Sequence, residues 1–133
     1  MSLIRRVVRI LGVLWAGSLW SVLWVTFVLF HDQPDRHLAG TLAGPLFTIE
    51  TALGVGVAAL ALVLPGRTRF LWGYLAAALL ALNEWGLRPI MEQVRLHGPR
   101  FGLGFGAWHG VSTLLYGIAC LAVVVLVWND DLG

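Results

Sequence analysis

Apolar residues run almost unbroken through four stretches of this chain: 10–30, 42–64, 70–90 and about 103–128. Each reaches the roughly 20 residues that an α-helix needs to cross a bilayer core of about 30 Å. The runs are continuous rather than alternating, which is not the pattern of a membrane barrel strand. In lipid a helix satisfies every backbone N–H and C=O within its own segment, so helices are the element these runs predict. The fold expected is all-α: an integral membrane antiparallel four-helix bundle, one domain over residues 1–133. The first run follows a basic start, "MSLIRRVVRI". It is longer than the apolar core of a signal peptide and no small-x-small site closes it, so it reads as an uncleaved first helix.

The interruptions matter more than the runs. Asn83, Glu84 and Arg88 fall inside the third stretch, Glu50 inside the second, and His109 and Ser112 inside the fourth, while His31 closes the first. A charge at the bilayer centre costs at least about 2.5–3.5 kcal/mol. Counting about 1.5 Å of rise per residue puts Glu50, Glu84 and His109 at one level, about 9–12 Å below the outer boundary. Glu84 and Arg88 are four apart with the acid first, the favourable order for a helical ion pair. Pro89 removes a backbone N–H and pushes Arg88 away from helical geometry, which predicts a kink or an end to the third helix there. Asn83 is placed to cap groups freed by that break, or to bond across to the fourth span. Glu50 has no basic neighbour on its own helix.

Small residues recur at helical spacing, and in lipid they are what lets helices approach closely. The second span offers Ala43, Phe47, Glu50, Gly54, Ala58 and Ala61, with Gly40 and Gly44 at its start. The third offers Gly73, Ala77, Ala81, Glu84 and Arg88, and the fourth begins with Gly102, Gly106 and Gly110. On the fourth span His109, Ser112, Tyr116 and Cys120 share a face; on the first, Gly17, Ser21, Trp24, Val28 and His31 do. Gly40, Gly44, Gly54, Gly106 and Gly110 are read as packing positions.

Composition narrows the class. The chain is 59% hydrophobic and 12% charged, against about 25% charged in soluble domains. All nine basic residues are arginine. A net charge of +2 with no basic patch interleaved with aromatics gives no nucleic-acid signal. The single cysteine, Cys120, excludes a disulfide within the chain. Arg5, Arg6, Arg9, Arg67 and Arg69 fall on one side of the four spans, and Arg36, Arg88, Arg95 and Arg100 on the other. With the first helix dominating orientation, both termini are placed in the cytoplasm. The five-residue link "PGRTR" makes spans two and three antiparallel neighbours.

Three segments together, "HLAGTLAGPLF" (37–47), Asn83 with Pro89, and "FGAWHGVSTLLYG" (105–117), resemble the bacterial branch of the transmembrane protein 205 family, a domain of unknown function. The matching positions are Ala39, Gly40, Gly44, Phe47, Asn83, Pro89, His109 and Ser112. The resemblance implies a four-helix membrane protein of the bacterial inner membrane. A more distant similarity is to copper-resistance and haem-related four-helix membrane proteins.

Three functions fit these residues. The favoured one is a small accessory, scaffold or assembly subunit, packed against a larger membrane complex or against itself, with the polar set as glue between helices. The first alternative is a metal- or haem-handling protein with His109 as ligand and His31 as a second. Copper(I) prefers thiolate and thioether, and the chain has few of either. The second alternative is a small proton-linked transporter titrating at Glu50 and Glu84. No nucleophile–base motif suggests an enzyme, and no cofactor is required by any of the motifs.

Overall fold

The computed structural model describes residues 3–63 and 70–128, with the backbone alone described at Arg36, His37 and Phe105. Helix α1 spans Leu3–Asp32 and α2 Arg36–Leu62. Helix α3, Leu71–Leu82, passes through a π turn, Asn83–Leu87, into α4, Arg88–His97. Helix α5 spans Phe105–Trp128. The fold is all-α. Three stretches, Leu3–Asp32, Leu38–Leu62 and Gly106–Trp128, are long and apolar enough to cross a membrane. The "PGRTR" link and the tail after Trp128 lie outside the described residues.

The helices overrun their apolar stretches. Arg5, Arg6 and Arg9, expected ahead of the first helix, lie in the first turns of α1. Arginine is a good helix former, so the chain has no local reason to unwind where it turns polar. Helix α2 starts at Arg36 rather than near 42, and the cause is local. Asp35 follows Pro34 and caps the first turn: its carboxylate accepts the Leu38 N–H at 3.2 Å, and its carbonyl accepts the Ala39 N–H at 3.0 Å.

Contacts run from α1 to α2, α2 to α3, α3 to α5, and α5 back to α1. The face that α1 turns inward carries Val8, Gly12, Trp15, Ala16, Leu19 and Val22. This corrects the expected face: Gly17, Ser21, Trp24, Val28 and His31 are all exposed. Bulk explains the choice. Trp15 and Leu19 fill the groove over the small stripe of α2, where Ala43, Glu50, Gly54, Ala58 and Ala61 are buried. A Cβ on Gly54 would come within 2.5 Å of the Trp15 ring. Ser21 tolerates the outward face because its hydroxyl bonds back to the Gly17 carbonyl at 2.9 Å. Two further bonds join α1 to α5. Tyr116 donates to the Leu19 carbonyl at 2.7 Å, and the Trp20 indole donates to the Cys120 carbonyl at 3.2 Å.

Candidate functional site

The polar residues of the spans separate into three groups, each crossing a different helix boundary. The first joins α2 to the rod formed by α3, the π turn and α4. Arg88 Nη1 donates to Glu84 Oε1 at 2.6 Å and to Thr48 Oγ1 at 2.9 Å. Thr48 Oγ1 lies 2.7 Å from the same Glu84 oxygen and 3.2 Å from the Gly44 carbonyl. One hydroxyl carries one proton, so it goes mainly to the shorter, charged acceptor, while the oxygen's lone pairs receive Arg88. Gly44 is part of the seat, since a Cβ there would lie 2.8 Å from Arg88 Nη2. Glu84 is the enclosed member, with 11% of its side chain exposed against 48% for Arg88. The arrangement is a neutral three-way clamp between two helices.

The second group joins the same rod to α5. Asn83 Nδ2 donates to the Ser112 carbonyl at 3.2 Å, and Ser112 Oγ donates to Asn83 Oδ1 at 2.5 Å. Each residue gives one bond and takes one from the other.

Asn83 also opens the π turn. The Arg88 N–H bonds to the Asn83 carbonyl, five residues back. The backbone stays helical throughout, with φ/ψ of −64/−50 at Asn83, −78/−37 at Leu87 and −60/−45 at Arg88. Of the kink or end expected at Arg88, the end is corrected: the helix continues through Pro89 to His97. In a regular α-helix the Pro89 ring would meet the carbonyl four residues before it and leave that carbonyl without a donor. The wider π turn lies immediately before the proline, where that conflict arises, and Pro89 falls in the first turn of α4, where a missing N–H costs least.

The third group is Glu50. It stands near the middle of α2, about 21 Å along the axis from Arg36 and about 18 Å from Leu62, deeper than expected because α2 starts early. The residue is 2% exposed. Ser18 of α1 donates to Oε1, in a very short bond, while Oε2 is buried without a partner. The Trp15 indole N–H, on the same α1–α2 interface, is also buried and unpartnered.

The remaining candidates sit apart. His31 is exposed at the end of α1, 2.9 Å from Asp32. His109 is exposed in the first turns of α5. Among the described residues no three His, Cys, Asp or Glu side chains converge as metal ligands would. Gly44 and Gly54 are closely packed, but a Cβ on Gly40, Gly106 or Gly110 would meet nothing within 4 Å. Sequence reasoning missed Ser18, Thr48 and Trp15. The signal for Trp15 was the heptad-like run of Val8, Trp15 and Val22 on α1. Thr48 is four residues from Gly44, about a third of a turn round the helix from the stripe that was followed.

Residues 10–100 match a family described as a domain of unknown function, DUF4149. The chain belongs to that family. The matched segment takes in the Ser18–Glu50 pair, the Thr48–Glu84–Arg88 clamp, the π turn and α4, and stops before Ser112 and His109, so both α5 candidates lie beyond the DUF4149 match. Neither the curated proteins nor the solved structures contain a significant match.

Proposed function

We propose that this DUF4149 protein is a small accessory or assembly subunit of the bacterial inner membrane, and that its intramembrane polar residues hold its own helices while its open glycines contact another chain. The reading places the four rods as an antiparallel bundle, as the three-residue link Gln33–Asp35 between α1 and α2 favours for that pair, and puts both termini in the cytoplasm on the arginines of the first helix. One observation carries the proposal. Glu84, Arg88, Asn83 and Ser112 all bond to residues on neighbouring helices, Thr48 included, which is how polar glue between helices would be engaged. The glycines at the start of α5 have the complementary property. Gly106 and Gly110 lie on an exposed face, and among the described residues nothing comes within 4 Å of where a Cβ would stand on either. In lipid, spaced glycines favour the close approach of a second helix.

The test is the size of the particle extracted in mild detergent, wild type beside Gly106→Leu and Gly110→Leu. A larger assembly that the leucines dissolve, with the fold intact, supports the reading. An unchanged particle speaks against it.

A second reading rests on the unpartnered Oε2 of Glu50. A carboxyl with one free oxygen in mid-span is a place to bind a proton, as a proton-linked carrier requires. Reconstituted vesicles carrying wild type or Glu50→Gln separate the two readings. A proton flux lost in the variant favours the carrier, and no flux in either favours the accessory role.

A further inference from the structure

The segment between α4 and α5 makes a compact structure that neither the clamp nor the packing account uses. A cavity of about 250 Å³ is lined by Gln93, Val94, His97, Gly98, Pro99 and Arg100. Its polar lining is weighted toward cations and donors: the Arg100 guanidinium, the His97 imidazole and the Gln93 amide. Gln93 fixes the guanidinium, since Arg100 Nη1 donates to Gln93 Oε1 at 2.7 Å. That leaves the other guanidinium N–H groups available to a ligand.

The backbone there is held tightly. Arg100 and Leu103 exchange two hydrogen bonds, of 3.1 and 3.0 Å, around a reversal that sets Phe101 at φ 55° and Gly102 at φ 72°. A positive φ is unusual and costly for a phenylalanine. The turn thrusts Phe101 outward, 78% exposed, with the Arg100 guanidinium 5.3 Å from its ring centre. Leu96, on the adjoining turn of α4, is 65% exposed, and Trp85 64%. Rings and aliphatic side chains exposed beside arginines, where the apolar rod gives way to the polar residues Glu92, Gln93 and Arg95, are the composition of a membrane–water boundary.

We propose that this cavity is a binding site for the phosphate group of an anionic phospholipid, with Arg100 and His97 on the phosphate and with Phe101 and Leu96 in the adjoining acyl layer. Size agrees with the choice. The cavity is smaller than the roughly 300–1,000 Å³ typical of pockets for drug-sized ligands, so it suits a headgroup fragment whose tails remain in the bilayer. An arginine also suits the ligand, since its planar fork matches phosphate oxygens.

The experiment is native mass spectrometry of the full chain released from detergent containing phosphatidylglycerol or phosphatidylcholine. Wild type, Arg100→Gln and Arg95→Gln are compared, with thermal unfolding as a check on folding. Arg95 is the control, because it belongs to the same helix end but pairs with Glu92 and does not line the cavity. The expected result is retention of phosphatidylglycerol over phosphatidylcholine, reduced about fivefold by Arg100→Gln and unchanged by Arg95→Gln. Equal losses in both variants would mean diffuse attraction and overturn the site. So would equal retention in wild type and Arg100→Gln. Inorganic phosphate is added to a parallel sample at the lipid's own concentration. Complete displacement of the lipid there would make the ligand a free anion and overturn the lipid assignment.

Discussion

At the level of single residues, the account depends on which side chains have partners. Thr48 is the one through which α2 meets both members of the ion pair. Thr48→Val keeps the shape and removes the hydroxyl. It should cost about 1 kcal/mol, since hydrogen bonds between membrane helices average about 0.6 kcal/mol with a maximum of about 1.7, and the cost should shrink in an Arg88→Leu, Glu84→Leu background that leaves the hydroxyl neither partner. Unfolding in mixed detergent measures both. The glycines separate more sharply. Gly54→Ala forces a methyl into the Trp15 ring, which is 2% exposed and has nowhere to go, so a loss of about 1–3 kcal/mol is expected. Gly110→Ala meets open space and should leave the isolated chain unchanged or slightly stabilised. Glu50 and Glu84 could be picked from the sequence because carboxylates are rare in apolar runs. Their partners could not, since serine and threonine are ordinary residues in membrane helices. Nothing but the fold says that Ser18 meets Glu50 and Thr48 meets Arg88.

At the level of elements, the third span carries the lesson. Its apolar run, its small-residue stripe and its Glu84–Arg88 spacing could all be read from the sequence. The Pro89 signal was also read correctly as a conflict within a helix, but it has two resolutions. A break is one, and a wider turn just ahead is the other. The chain takes the second because Asn83, Glu84 and Arg88 all have partners on neighbouring helices that an interrupted rod would lose. A π turn is one extra residue in a helix, so removing a residue from it restores α geometry while the flanking faces stay in place. Deletion of Gly86 should then put Pro89 against a carbonyl one α-turn back, costing about 3 kcal/mol. Adding Pro89→Ala to the deletion should recover most of that loss. A double variant no more stable than the deletion alone would show that the proline is not what the turn serves. The face of α1 was misread for a different reason. Its two candidate stripes are both periodic, and only the bulk of Trp15 and Leu19 against the small residues of α2 decides between them.

For the molecule as a whole, the structure distributes two kinds of surface. Inside, polar side chains bridge α1 to α2, α2 to the third rod, and the third rod to α5. Outside, large apolar side chains such as Leu14, Trp24, Phe27 and Leu114 face outward, as lipid requires, and the glycines of α5 interrupt that cover. An accessory subunit needs this division: a frame that holds without help and one strip smooth enough for a neighbour. Glu50→Gln should preserve the frame, because the amide oxygen can still accept from Ser18, and should leave any assembly the same size. The central claim is that the strip, not the polar cluster, does the work. It is tested most directly by particle size in mild detergent for wild type, Gly110→Leu and Glu50→Gln. The account predicts a wild-type particle larger than one chain, a single chain for Gly110→Leu, and wild-type size for Glu50→Gln. A wild-type particle of one chain, or one that Gly110→Leu leaves whole, would contradict it.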